Sequence, residues 1–501
     1  MNFSNQIIMA FFKTRKMNLH KIFNISPYGA LWLLMGLLFV MPFLSSAQIK
    51  AKKTNVLLIV VDDLNTSLGC YGNKQVKTPN IDRLASMGVM FDRAYCQYPL
   101  CNPSRVSFLS GKRPENTGVY VLNVPARKAL PDAVLLPQYF KNQGYFTAGA
   151  GKVFHNAKMS DELSWNYYTD EASIDAEEKA AIDTRYGGGD GRPKAYVLTT
   201  DGSKTRDGLN TKTIKDLLAA KKDQPFFLAA GFHKPHLPWT APKKFFDLYP
   251  VDKIQIREDP KMINIPAVAM QTELSGFAQP DSRAAAIQGY YACISFTDAH
   301  VGELMEVLDR EKLWENTVVV LVGDNGFHLG DHEGLWAKLS AFDASTRVPF
   351  IMAGAGIPKG KVLDQPVELL DLYPTLLSLT GEKDHSKLDG KSLLPYMQGK
   401  NNSSAYAQSL VFHYDPKTKS DVMGQTLIHK DWRYTDWGKG EKGSELYIRK
   451  NDPFEFVNRI QEKSFLNLKN DAHKSIQSGP IPKPGESNRP RALLEPGMVT
   501  N

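Results

Sequence analysis

The chain has 501 residues, 42% of them hydrophobic and 23% charged. This composition suits one large globular core with a smaller second unit, and it excludes a disordered or low-complexity chain. The formal net charge of +8 falls to +4 once the four basic residues of the first segment are set aside, which argues against a nucleic-acid partner and is compatible with an anionic substrate.

The first segment reads as a targeting signal. Lys13, Arg15, Lys16 and Lys21 precede an apolar run from Tyr28 to Leu44, and no Asp or Glu occurs before Gln48. Ser45-Ser46-Ala47 then offers small residues for cleavage. A signal peptide over residues 1–47 implies an exported protein, periplasmic or secreted. Contact with a membrane is expected only if the segment stays uncleaved, and Gly36 and Pro42 interrupt a run that is short for a span.

Three nearly continuous apolar runs predict buried parallel strands: Asn55 to Val61, Pro225 to Gly231 and Thr317 to Val322. Helices are expected between them. Thr78-Pro79 opens one that Gly88 would close, Asn102 and Pro103 open a second, and Thr211 to Lys221, Ala284 to Leu308 and Leu369 to Leu379 supply three more, the last interrupted by Pro374. After the polar stretch Lys400 to Ser404 the pattern changes to short strand-like pieces at Ser409 to His413, Thr426 to His429 and Trp432 to Trp437. The expected fold is α/β, with a large mixed, mostly parallel sheet flanked by helices and a smaller C-terminal antiparallel-sheet α+β subdomain. The expected boundaries are residues 48–400 for the catalytic domain and 401–501 for the C-terminal subdomain and tail.

Chemistry gathers where the apolar runs stop. The first run ends in Asp62-Asp63, the second leads into His233-Lys234-Pro235-His236, and the third into Asp324-Asn325. Ligands of open α/β sheets bind at the carboxyl ends of the strands. One such polar turn is ordinary, because Asp and Asn favour turns; three in register point to a site. Asp62, Asp63, Asp324 and Asn325 form an oxygen-only set, suited to calcium or magnesium. If Cys101 shares that site, its thiol is the wrong ligand, since sulfur prefers soft metals; conversion to an aldehyde and then its hydrate would replace sulfur by oxygen. Its place at a helix start favours a nearby anion. A Cys96–Cys101 disulfide is the competing use of this thiol, and the cysteine spacing is not that of a zinc ribbon. Arg105 would lie one turn into the helix. Lys152 and His155, three apart, and Lys338 are weak signals alone; with His233 and His236 they supply cations for ester oxygens and a proton for a leaving alcohol.

These motifs in this order resemble the type I sulfatases of the alkaline phosphatase superfamily, and most closely the iduronate-2-sulfatase-like branch. The matching stretches are Val60 to Leu64, Ser67 to Gly72, Thr78 to Asp82, Cys101-Asn102-Pro103-Ser104-Arg105, Gly151 to His155 and His233 to His236, followed by Gly323 to Gly326, Leu329 to His332, Trp336 to Lys338 and Trp432 to Tyr434. The resemblance implies formylglycine formed from Cys101 by a maturation enzyme, and one calcium held by Asp62, Asp63, Asp324, Asn325 and residue 101. It implies that Arg105 and Lys152 support the nucleophile and that His155 assists release of sulfate. Lys338 and one of His233 and His236 would bind the sulfate, with the acid of that pair left open. A sulfated oligosaccharide, with a 2-O-sulfated uronate foremost, is the implied substrate. Asn325 stands where the iduronate enzyme has histidine, and the segment from Gly326 to Lys338 is one residue longer, so sugar specificity is the part least constrained. Two other functions are consistent with parts of the pattern. One is a phosphatase or phosphodiesterase of the same superfamily, which would carry more Asp and His ligands for two zinc ions. The other is an inactive glycan-binding homologue, which would lack some of these side chains.

Overall fold

The computed structural model describes residues 53–170, 183–186, 195–272, 282–381, 387–400, 406–415 and 417–478. The expected signal segment lies outside the described residues. The main sheet has eight strands: β1 (Asn55–Val61), β2 (Gly88–Phe91), β3 (Phe146–Gly151), β4 (Tyr167–Thr169), β5 (Phe226–Phe232), β6 (Thr317–Gly323), β7 (Phe350–Gly354) and β8 (Lys361–Leu363). Their spatial order is β8-β2-β7-β6-β1-β5-β3-β4. Only β7 runs antiparallel to its neighbours.

The three predicted strands are the adjacent central ones, and every residue of each is buried. Alternate side chains of β1 enter two different cores. Leu57, Ile59 and Val61 face one that includes the long helix α4 (Arg283–Arg310), and Val56, Leu58 and Val60 face one that includes α2 (Cys101–Ser110) and α5 (Leu372–Leu379). Burial on both faces explains why these strands read as unbroken apolar runs. Each fully buried Val, Leu or Ile contributes roughly 1.5–3 kcal/mol.

Register sets the chemistry. Val61 pairs with both Gly323 and Phe232, and Gly151 pairs with Gly231. The next residue on each strand is therefore Asp62, Asp324, His233 or Lys152, all at one rim. Gly151 has φ 78 and Gly231 lies against it; a Cβ at Gly231 would sit 2.2 Å from the Lys152 backbone. Two glycines let the chain turn there and bring Lys152 to the rim.

Several local expectations shift. Helix α1 (Pro79–Ser86) ends without a glycine cap. Gly88 instead begins β2, where a Cβ would meet the Met352 carbonyl at 2.0 Å. Helix α2 begins at Cys101 itself, and Asn102 does not cap it; its amide donates to the carbonyls of Val121 and Val124, both at 2.9 Å. Helix α3 (Arg206–Ala220) starts five residues before the expected Thr211, capped by Thr205, whose hydroxyl accepts from the Gly208 N–H at 3.1 Å. Pro374 lies in the first turn of α5, where a missing N–H is harmless.

The C-terminal sheet is antiparallel, with β9 (Tyr406–Asp415), β10 (Ser420–His429), β11 (Trp432–Trp437) and β12 (Ser444–Ile448) in sequential order. Helix α6 (Leu466–Gln477) covers it through Ala472 and Ile476. Leu410, Val411 and Phe412 of β9 share a core with Tyr98, Leu100 and Leu339, next to the start of α2. No helix among the described residues is long and apolar enough to cross a membrane.

Candidate active site

The doubled acid at the end of β1 is made useful by a backbone reversal. Asp63 adopts φ 57, a left-handed conformation that costs a non-glycine residue about 1–2 kcal/mol. Tyr290 of α4 offsets this by donating its hydroxyl to the Asp63 carbonyl at 2.6 Å, and it also accepts from the Asn65 N–H at 2.9 Å. The carboxylates of Asp62, Asp63 and Asp324 come together, with one oxygen of each within 4.8 Å of the others. Asn325 completes the group, donating its amide to Asp63 Oδ1 at 2.8 Å.

Three cations neutralise three acids. Arg105, wholly buried, donates Nε to Asp324 Oδ2 at 2.8 Å and Nη2 to Asp62 Oδ1 at 3.2 Å, and it reaches the carbonyls of Lys152 and Val153 with Nη1. It is therefore a structural centre of the site and not a surface helix residue. Lys152 donates to Asp62 Oδ2 at 2.5 Å, and Lys338 to Asp63 Oδ1 at 2.5 Å. Burial would raise the Asp62 carboxyl, but Lys152, His236, Arg105 and Lys338 hold it well below the usual range. Asp324 is the acid that stays protonatable, pushed up to about 7 by burial against the pull of Arg105.

Cys101 sits at the first position of α2 with 1% exposure. Its Sγ lies 3.0 Å from Lys338 Nζ and 3.9 Å from Asp63 Oδ1. Burial pushes the thiol well above its ordinary value, so it is neither a good nucleophile nor a natural ligand beside hard carboxylates. The described cysteines form no disulfide, which removes the Cys96–Cys101 pairing. The Asn325 side-chain oxygen is buried and has no hydrogen-bond partner. An orphaned amide oxygen beside three carboxylates is the donor set a hard cation needs, so these residues fit a hard divalent cation.

The two loop histidines are placed differently. His236 keeps 31% exposure, bonds Nδ1 to the Leu237 carbonyl at 2.6 Å and points Nε2 toward Asp63 Oδ2, 3.7 Å away. It also approaches Asp62 and Cys101. His233 is tied to Asp207, whose carboxylate accepts the backbone N–H groups of His233 at 2.9 Å and Lys234 at 2.9 Å and faces His233 Nδ1 at 3.6 Å. Burial pushes both imidazoles down to about 4. His155 is half-buried, with Nδ1 lacking a partner; burial, then Lys152, push it well below its ordinary value.

The sequence did not reveal Asp207, Tyr290 or Ser104, whose hydroxyl donates to the Asp324 carbonyl at 2.5 Å. Asp207 reads as an ordinary acid in the first turn of a helix. Ser104 lies inside the Cys101 motif, which was the available signal. A second His/Asp group, His328, Asp331 and His332, has the spacing of a metal site. All four of its ring nitrogens are already engaged: with Asp331 Oδ2 (2.7 and 2.6 Å), the Ser340 hydroxyl (2.7 Å) and the Phe454 carbonyl (2.8 Å). It is a hydrogen-bonded brace for the loop before Lys338.

Fold and site together define an α/β protein whose strand ends hold a hard-cation donor set, a ring of fixed cations and one helix-start residue facing both. Residues 54–382 match the family model described as sulfatase, and residues 330–479 match that for the C-terminal part of N-sulphoglucosamine sulphohydrolase. The chain belongs to the sulfatase family and is a sulfuric ester hydrolase. It is 34% identical to human iduronate 2-sulfatase over 499 residues, covering 82% of this chain and 90% of that protein. It is 33% identical to a sulfatase of Formosa agariphila over 442 residues, covering 83% and 85%. Among solved structures, the phosphonate monoester hydrolase of Agrobacterium radiobacter superposes with a TM-score of 0.71 at 18% identity, covering 85% of this chain and 95% of that one.

Proposed function

We propose that the protein is an exported sulfatase that removes the 2-O-sulfate of a uronate in a glycosaminoglycan or similar polysaccharide, through formylglycine at position 101 and one calcium, with residues 48–400 as its catalytic part. The observation that carries the reading is the buried Cys101 Sγ within 3.0 Å of Lys338 Nζ and 3.9 Å of Asp63 Oδ1. A thiol there is inert; an aldehyde hydrate supplies two oxygens, one to attack sulfur and one to expel the product without water attack. Bound calcium would supply Lewis-acid polarisation of the sulfate oxygens, held by Asp62, Asp63, Asp324, Asn325 and residue 101. Arg105 fixes the two outer carboxylates, and Lys152 lies against Asp62 on the same side. Lys338 reaches position 101 and serves a sulfate oxygen. His236 is the better placed of the two to meet the leaving alcohol, because its Nδ1 is held by the Leu237 carbonyl and its Nε2 faces the site; it acts as the acid only as the imidazolium, a form that the negative charge of a bound sulfate ester favours. His233 then orients the loop through Asp207. His155, with its unpartnered Nδ1, is left to take the proton of the second hydroxyl when sulfate departs.

The iduronate preference rests on the similarity to human iduronate 2-sulfatase. The test is release of free sulfate from a panel of sulfated disaccharides by matured protein with calcium, beside a phosphonate monoester and Cys101→Ala. Mass spectrometry of the peptide carrying residue 101 reports the oxidation. Release from a 2-O-sulfated uronate alone, abolished in Cys101→Ala, is expected. Turnover of the phosphonate in preference to every sulfate would favour the phosphoryl-transfer alternative, and an unmodified thiol with no turnover would favour an inactive glycan-binding protein.

A further inference from the structure

Lys338 touches both Cys101 and Asp63, yet the backbone that carries it is strained on either side. Ala337 has φ 68 and Leu339 has φ 65, left-handed conformations that side chains other than glycine avoid. Such a segment holds its shape only where its surroundings fix it. The Leu339 peptide is gripped twice. Its N–H donates to the Pro99 carbonyl at 3.1 Å, two residues before Cys101. Its carbonyl lies 2.5 Å from Nε2 of His413, a residue of β9 in the C-terminal sheet. The other ring nitrogen, Nδ1, lies 2.6 Å from the Val268 carbonyl. A carbonyl only accepts, so a bond to it needs an N–H on the ring; burial disfavours the doubly protonated imidazole, and a neutral ring has a single N–H for the two carbonyls. The imidazole is 3% exposed and stacks on Trp437 at 4.7 Å, and Trp437 donates its own N–H to Glu445 at 2.6 Å.

We infer that His413 is a positioning residue with its N–H on Nε2: through the Leu339 carbonyl it clamps the strained Lys338 segment, and with it the Lys338 ammonium, against the Pro99–Cys101 segment. The C-terminal sheet thus supports the reactive centre without entering it. The role deepens the proposed function, since it concerns the same Lys338.

The two amide isosteres separate the contacts. His413→Gln places an amide N–H near the Nε2 position and keeps the bond to Leu339. His413→Asn places one near Nδ1 and reaches only Val268. Two measurements follow on full-length protein whose fold is checked by its thermal melt. Hydrogen–deuterium exchange of the peptide spanning residues 335–342 is expected to quicken about tenfold in the Asn variant and to stay near wild type in the Gln variant. For an aryl sulfate, kcat/KM of matured enzyme is expected to fall about tenfold with Asn and to be largely rescued by Gln. His413→Leu, which keeps the packing and has no donor, replaces the Asn variant if that protein does not fold. Equal behaviour of the Gln and Asn variants in exchange overturns the clamp. The exchange arm stands apart from the sulfatase reading. If wild type hydrolyses no sulfate ester, a separation of the two variants by exchange still supports the clamp, and no separation still overturns it.

Discussion

Removing the charge of Arg105 tests the whole electrostatic frame of the site. Arg105→Met keeps most of the side-chain volume and deletes the guanidinium. Asp62 and Asp324 then lose their charge-assisted bonds at 3.2 and 2.8 Å, and the carbonyls of Lys152 and Val153 lose their donor. All of these groups are buried. Breaking a buried ion pair from one side costs about 3–5 kcal/mol because the partner charge remains without compensation, and each orphaned carbonyl adds up to about 1–3 kcal/mol. A loss of about 5 kcal/mol in the unfolding free energy is expected in a chelator, a large fraction of ordinary domain stability. Calcium should repair more in the variant than in wild type, since the carboxylates it would bind have lost a competing cation. Urea unfolding of both proteins, with chelator and with calcium, reads both quantities. A loss under about 1 kcal/mol, the worth of an exposed pair, would refute the buried bridge. An equal calcium increment in the two proteins would refute the placement of the cation beside Asp62 and Asp324.

Asp207→Asn weakens the buried acceptor of the His233 and Lys234 N–H groups, so the variant should lose about 1–3 kcal/mol of stability and turnover of matured enzyme should drop about 10–100-fold. The imidazoles of His233 and His236, pushed down to about 4, should remain neutral by NMR titration until well below pH 6. Their folded values lie under the ordinary 6.5, so the stability each contributes is present above about pH 6.5 and is lost as pH falls toward 4; His233→Gln should lose less stability than wild type across that window. Calcium at about a hundred times its dissociation constant should stabilise wild type by roughly 2.7 kcal/mol, and Asn325→Leu, which removes the orphaned amide oxygen, should shrink that gain.

The parts legible in the sequence share one property: the neighbours that decide them are local or uniform. The central strands are buried on both faces, so their apolar runs needed no partner to be read. Asp62, Asp63, Asp324 and Asn325 were visible because each interrupts such a run at its carboxyl end. What stayed hidden depends on pairs far apart in the chain. Tyr290 supports Asp63 across 227 residues, and nothing in the local pattern of α4 distinguishes its hydroxyl. Asn102 looked like a cap because Asn favours that position, yet the tertiary demand of the Val121 and Val124 carbonyls took it. Arg105 could have been a surface arginine, and only the packing of α2 against the strand rim makes it a bridge.

Charge balance ties these observations together. Asp62, Asp63 and Asp324 bring three negative charges, and Arg105, Lys152 and Lys338 bring three positive ones, each in a hydrogen bond or ion pair with a member of the other set. The protein alone is therefore near neutral at its own centre, with no surplus to attract an anion. Asp324, held near 7 by burial, marks where the balance is most easily tipped. A divalent cation on the same carboxylates would turn the centre positive by two charges. A sulfate monoester carries one negative charge, which shifts toward the alcohol oxygen as the S–O bond breaks, so it matches a site that is neutral without metal and cationic with it. A two-zinc site for a phosphate monoester would need further carboxylates or imidazoles within reach, and the His328–Asp331–His332 group cannot lend its ring nitrogens, which are already bonded. The arithmetic of charge thus favours a single hard cation and a singly charged ester.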